Sequence, residues 1–114
     1  MNENFIKNMT PAEVVVFKDL VDYQEGRVVS RTLSQGKTLS FTLFAFAKGE
    51  EISSHSSPGD AFVYVLEGET DITVGEEKFS LQAGQAIMMP NNVAHALYAK
   101  ECFKMLLLVV FKLS

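Results

Sequence analysis

The chain has 114 residues, of which 47% are hydrophobic and 21% charged, and its formal net charge is −4. This composition excludes intrinsic disorder, and the length predicts one domain whose core needs no disulfide staples. An acidic chain without a basic cluster binds phosphate backbones poorly, so no nucleic-acid partner is expected. Its one cysteine, Cys102, excludes an intrachain disulfide and fits a reducing, cytoplasmic location.

The sequence also predicts that the protein does not enter membranes. The longest apolar run covers residues 105–111, whereas a membrane-spanning helix needs about twenty apolar residues. The polar N-terminus lacks the apolar stretch and cleavage site of a signal peptide. We therefore expect a soluble cytoplasmic protein with no membrane partner.

The predicted elements are short strands separated by glycine turns. Polar residues 1–13 predict a loose N-terminal arm, which precedes a barrel domain over residues 14–114. Residues 14–17 predict a first strand, and residues 18–23 predict one helical turn. Further strands are predicted over residues 28–33, 38–46, 61–66, 70–74, 78–81, 86–89, 95–99 and 102–112. Strands at this spacing favour an antiparallel sandwich or barrel.

The last predicted strand does not alternate between apolar and polar residues. Residues 105–111 are apolar throughout, so both faces of this strand need a cover. One face suits the barrel interior, and the other requires either residues 14–17 or a second subunit. We therefore expect a homodimer. Alternation in residues 38–46 separates Phe41 from Phe44 and Phe46 without showing which face is inside.

Two segments share a spacing of glycine, proline and histidine. These positions are Gly49, His55, Gly68, Gly84, Pro90 and His95. The pattern resembles the two signature motifs of the cupin superfamily and extends over about residues 40–111. The resemblance implies an all-β fold, a single-domain jelly-roll β-barrel of the double-stranded β-helix type. Asn92 stands where the second motif has glycine, and asparagine tolerates the positive φ of such a turn.

The resemblance implies four metal ligands, three histidines and one glutamate. The sequence differs from the motifs at two of these ligand positions. Only His55 and His95 remain, because Ser57 and Ala61 occupy the other two ligand positions. A transition-metal site normally takes three or four protein ligands. The resemblance therefore implies an incomplete metal site that holds, at most weakly, a divalent ion such as Mn, Fe, Ni, Cu or Zn.

The resemblance also implies a mostly apolar pocket that is entered past both histidines. The predicted lining residues are His55, Ser57, Ala61, Val63, Met88, His95 and Met105. We expect this pocket to bind a small molecule without strong metal dependence. Two alternatives stay open, because this fold hosts many chemistries. One is a metal-dependent oxygenase or isomerase that uses His55 and His95, and the other is a regulatory or structural module with a vestigial pocket.

Overall fold

The computed structural model describes residues 3–112, which form nine strands and one short 3₁₀ helix over Phe17–Leu20. The strands are β1 (Val28–Gln35), β2 (Leu39–Phe46), β3 (Glu51–His55), β4 (Asp60–Glu67), β5 (Glu69–Val74), β6 (Glu77–Gln82), β7 (Ala86–Met89), β8 (His95–Tyr98) and β9 (Phe103–Val110). Within residues 3–112, no helix is long and apolar enough to cross a bilayer.

The strands form two antiparallel sheets. The five-stranded sheet has the order β1-β2-β9-β4-β7, and the four-stranded sheet has the order β3-β8-β5-β6. Strands that are distant in the chain are neighbours in both sheets, as in a jelly roll. The prediction of an all-β jelly-roll barrel is confirmed, and the last predicted strand, β9, lies at the centre of the larger sheet.

The core lies between the two sheets and follows from the alternation of side chains along each strand. On β4, Val63 and Val65 are buried whereas Phe62 is partly exposed. Phe46 of β2 stacks on Phe103 of β9 with their ring centroids 4.5 Å apart. Ile72 and Leu97 of the four-stranded sheet belong to the same cluster as these rings. Phe44 also packs against this cluster, so Phe44 and Phe46 face inward and Phe41 faces outward.

The strand predicted over residues 14–17 is not present, and this prediction is wrong. Residues 14–16 form no strand, although Val16 is extended, and Phe17 begins the 3₁₀ helix. The backbone N–H of Asp19 donates to the carbonyl of Val16 at 3.0 Å and closes the turn. β-Branched residues favour strands only where a neighbouring strand offers hydrogen bonds, and within residues 3–112 none pairs with this segment.

Residues 3–23, the described part of the predicted arm and the ten residues after it, together form an N-terminal arm that is docked on the outer face of the five-stranded sheet. Arg31 donates to the carbonyls of Leu20 at 2.7 Å and Asn8 at 2.9 Å. The Phe17 ring meets Phe41 edge-on, with a centroid distance of 6.1 Å. The arm also covers Leu106 of β9, so part of the outer face of β9 is covered by the chain's own N-terminal segment.

A buried lysine is a second anchor for the arm. Lys104 of β9 is only 7% exposed. Its Nζ donates to the carbonyl of Lys18 at 2.6 Å and lies 5.0 Å from the ring centroid of Tyr23. The Tyr23 hydroxyl in turn donates to the Glu67 carboxylate at 2.6 Å. Burial, and then the bond to this carboxylate, raise the pKa of Tyr23, so the phenol stays protonated and keeps donating.

Candidate functional site

The register of β3 against β8 brings the two histidines together. Ile52 pairs with Leu97 and His55 pairs with His95, which leaves one more residue on β3 than on β8 between the two pairs. By strict alternation, His55 and Ile52 would point to opposite faces. The irregularity in β3 places His55 beside His95 instead, and their ring centroids are 4.3 Å apart at an interplanar angle of 70°.

The two rings differ in their exposure. His95 is only 4% exposed, and it lies on the same face of β8 as the buried Leu97. His55 ends β3 and is exposed. One ring of the pair is therefore enclosed, and the other is open to solvent.

Backbone carbonyls determine which ring nitrogen carries the proton in each histidine. The Nδ1 of His55 lies 3.0 Å from the carbonyl oxygen of Ser53, and the Nδ1 of His95 lies 3.3 Å from that of Val93. A carbonyl oxygen only accepts hydrogen bonds, so we assign the proton of each neutral ring to Nδ1. Both Nε2 atoms then carry a free lone pair. The site therefore offers two adjacent hydrogen-bond acceptors.

The environment of His95 keeps its ring neutral. Burial lowers the pKa of His95, the nearby His55 lowers it further, and the bond to Val93 opposes the shift. Near neutral pH, the Nε2 of His95 is consequently an acceptor and not a cationic donor.

The lowered pKa of His95 predicts a pH dependence of stability. As the pH falls through about 6.5, the unfolded histidine gains a proton that the folded one resists, so the free energy of unfolding should decrease. Above that pH, this contribution is fully present. Urea unfolding between neutral and mildly acidic pH measures the slope. The same slope in a His95→Asn variant would show that another group causes it.

Hydrogen bonds join the two loops that position the histidines. The backbone N–H of Asn92, at φ +60°, donates to the Ser57 carbonyl at 2.8 Å. The backbone N–H and side-chain amide of Asn91 donate to one Asp60 carboxylate oxygen at 2.8 and 2.9 Å. These two bonds lower the pKa of Asp60. The motif spacing did not reveal this link, although Asn and Asp beside turn residues are its signal.

The structure places the other predicted lining residues in different surroundings. Ala61, Val63 and Met105 belong to the closely packed core and are 2%, 0% and 1% exposed, respectively. At these exposures their side chains face neighbouring core residues and not an open space. The Ser57 hydroxyl accepts the N–H of Gly59 at 3.1 Å and thus belongs to a local turn.

Met88 is a correction, because its side chain lies outside the barrel. It is 54% exposed and pairs with Phe62 on the outer face of the five-stranded sheet. Met89, which is 2% exposed, points into the core instead. Neighbouring strand residues point to opposite faces, and the register of β7 against β4 decides which of the two methionines is inside.

The donors present do not fit a complete protein metal site. No group of three or more His, Cys, Asp or Glu side chains placed to bind a metal occurs in residues 3–112. Ala61 has no donor atom, and the Ser57 hydroxyl is already bonded to Gly59. Two imidazoles are fewer than the three or four protein ligands usual for transition metals.

Comparisons with known proteins agree on the family. A family model described as Cupin domain matches residues 42–111. A conserved protein of unknown function from Streptococcus pyogenes is 42% identical, with a TM-score of 0.96 and 98% coverage of both chains. A cupin superfamily protein from Desulfitobacterium hafniense is 31% identical, with a TM-score of 0.90 over 94% of this chain and 98% of that one.

A curated relative is known as Polyketide synthase CurC from Streptomyces cyaneus. It is 35% identical over 71 residues, which are 60% of this chain and 46% of the relative. The chain therefore spans about half the length of this curated relative.

Proposed function

This chain belongs to the cupin family, and from that premise we propose that it binds a small molecule at the barrel mouth, on His55 and His95. The observation that supports this proposal is the facing pair of imidazoles, each with its Nδ1 beside a backbone carbonyl. Holding an enclosed, neutral histidine at this position costs desolvation energy, which a ligand contact would offset. We place the ligand at the two rings and not in the barrel interior, because Val63 and Met105 belong to the tightly packed core.

The chemistry of the pair indicates which ligand groups it would hold. Within residues 3–112, every enclosed side-chain nitrogen or oxygen has a hydrogen-bond partner, so the unpaired Nε2 of His95 is accessible from solvent. Two acceptor nitrogens side by side favour a molecule that presents hydroxyl or amine N–H groups. We infer that the ligand donates hydrogen bonds to His55 and His95.

A ligand screen with histidine variants tests the proposal. The probes are small hydroxyl- and amine-bearing molecules, screened by ligand-observed NMR against the full chain. His55→Ala and His95→Ala should each weaken a binder about tenfold, the effect of one lost hydrogen bond of about 1.4 kcal/mol. Tyr98→Ala is the matched control, because Tyr98 is exposed on the same strand as His95. A binder that neither histidine variant weakens would contradict the proposal, and a screen without binders would favour a vestigial pocket.

The second candidate function is a metal-dependent oxygenase or isomerase. The Nδ1 contacts with carbonyls favour it, because metal-binding histidines are commonly oriented in this way. The curated relative, named a polyketide synthase, also bears an enzyme name. The incomplete donor set argues against tight binding.

Metal analysis separates the two candidate functions. The protein, purified without a histidine tag, would be assayed for Mn, Fe, Ni, Cu and Zn per chain. We expect well below one metal ion per chain. One equivalent of a single metal, lost in His55→Ala and kept in Tyr98→Ala, would overturn the first proposal in favour of the metalloenzyme.

We also propose a cytoplasmic location for the protein. Cys102 is a free and exposed thiol in the structure. An exposed thiol is best tolerated in a reducing compartment, where glutathione keeps it from forming intermolecular disulfides.

A further inference from the structure

One row of the four-stranded sheet contains both histidines and a carboxylate. His55 of β3 pairs with His95 of β8, which pairs in turn with Val74 of β5. Val74 then pairs with Glu77, the first residue of β6. Residues paired directly across neighbouring strands point to the same face of a sheet. Val74 packs against the core and His95 is enclosed, so Glu77 shares the inner face of the sheet with the two imidazoles.

The alternation of side chains along β6 supports the same orientation for Glu77. Leu81, near the other end of the strand, is 4% exposed and belongs to the core. Phe79 pairs with Ile72, which is fully buried. Successive strand residues point to opposite faces, so Glu77, Phe79 and Leu81 all leave the strand on its inner side.

The Glu77 carboxylate is exposed and takes no part in the ion pairs of the fold. None of the ion pairs found within residues 3–112 includes it. The neighbouring Lys78 points to the opposite face, where its Nζ lies 3.5 Å from the Asp71 carboxylate. The negative charge of Glu77 is therefore available to a ligand on the inner face.

A tight turn fixes the position of Glu77 relative to His95. The turn that precedes Glu77 contains Gly75 at φ +61°. The backbone N–H of Gly75 donates to the carbonyl of Ala94 at 2.8 Å. Ala94 directly precedes His95 in the chain, so this hydrogen bond joins the start of β6 to the strand that positions the enclosed imidazole.

The spacing along this row determines what could contact both His95 and Glu77. Neighbouring strands are about 4.8 Å apart, so the backbones at these two residues are separated by about 10 Å. One metal ion, with bonds of about 2 Å, does not span that distance, in agreement with the lack of a three-donor group within residues 3–112. A hydrogen bond of about 3 Å at each end leaves about 4 Å between two donor atoms, roughly the length of a two-carbon chain.

We propose that the ligand held by His55 and His95 is a short cationic amine with a second donor group, and that Glu77 selects it by binding the ammonium. The second donor, a hydroxyl or another amine, donates to Nε2 of a histidine, and the carbon chain lies over Val74. Anionic molecules are excluded by the Glu77 charge and by the net charge of −4. Because Glu77 acts on a ligand that the histidines hold, the inference rests on the proposed function.

Ethanolamine and ethylene glycol, titrated against the full chain and followed by NMR, test this inference. The two probes have the same length and differ at one end, which is an ammonium in the first and a hydroxyl in the second. Ethanolamine should bind about fivefold more tightly than ethylene glycol, the gain from one exposed charge-assisted contact. Glu77→Gln should remove this preference and leave the affinity for ethylene glycol unchanged.

Glu76→Gln is the matched control, because it removes the same charge from an exposed turn residue outside the row and should keep the preference. Equal affinity for the two probes, binding of neither, or a preference that survives Glu77→Gln would overturn the inference. If His55→Ala and His95→Ala still weaken a probe in that case, the proposed function stands and only the role of Glu77 fails. A probe whose affinity depends on neither histidine would contradict the proposed function itself.

Discussion

Replacement of Gly68 by alanine should lower the free energy of unfolding by more than about 3 kcal/mol, or abolish folding altogether. Gly68 connects β4 to β5 at φ +81°, where a side chain is strained. A Cβ there would lie 2.0 Å from the carbonyl oxygen of Cys102 and 2.8 Å from the Cα of Phe103. Both atoms are backbone at the start of β9, the central strand, so neither can move without disturbing the sheet.

Gly84→Ala is the control that separates strain from collision. Gly84 has φ +89°, and a Cβ there would meet nothing within 4 Å. In this variant the free energy of unfolding should decrease only by the cost of holding alanine in the left-handed region, about 1–2 kcal/mol. Urea unfolding of both variants measures the difference. Equal decreases in the free energy of unfolding would show that the close contact between Gly68 and the start of β9 is not what makes Gly68→Ala destabilising.

Strands with an alternating or continuous apolar pattern were predictable from the sequence. The strand predicted over residues 61–66 is Asp60–Glu67 in the structure, and that over 70–74 is Glu69–Val74. β3, Glu51–His55, was not predicted from the sequence, because four of its five residues are exposed and its apolar residues show no period. β3 exists because it pairs with β8, which is a tertiary cause that local pattern does not show.

The candidate site was predictable in its position but not in its surroundings. Motif spacing indicated His55 and His95, and the structure places these two rings together. The irregularity that sets His55 beside His95 depends on the pairing of β3 with β8 and has no sequence signature here. The same holds for Met88 and Met89, since a shift of one residue in register exchanges inside and outside.

The docked arm could not be predicted for a different reason. Its acceptors are backbone carbonyls, such as those of Asn8 and Lys18, and these exist in every residue. Its donors, Arg31 and Lys104, are ordinary charged residues whose partners lie elsewhere in the chain. A polar composition indicates a loose arm only when no such long-range anchors exist. Whether the arm is docked or loose therefore depends on how strongly Arg31 and Lys104 hold it. Of these two donors, Lys104 is the more enclosed.

Lys104→Ala should lower the free energy of unfolding by about 2–3 kcal/mol and loosen the arm. The variant removes a charged donor from the carbonyl of Lys18, removes the cation from the ring of Tyr23, and leaves space beside both. Hydrogen exchange should accelerate most in residues 14–23, with less effect on β5 and β6. Urea unfolding measures the global loss, and exchange followed by mass spectrometry measures the local one.

Lys104→Met separates the charge of this anchor from its packing. Methionine keeps most of the apolar stem but cannot donate to Lys18, and replacing a buried charge by an apolar group of similar volume is often nearly neutral. We expect this variant to retain most of the global stability that Lys104→Ala loses, while exchange near Lys18 still accelerates. If neither variant changes exchange in residues 14–23, the arm is held by Arg31 and the packing of Phe17 on Phe41 instead.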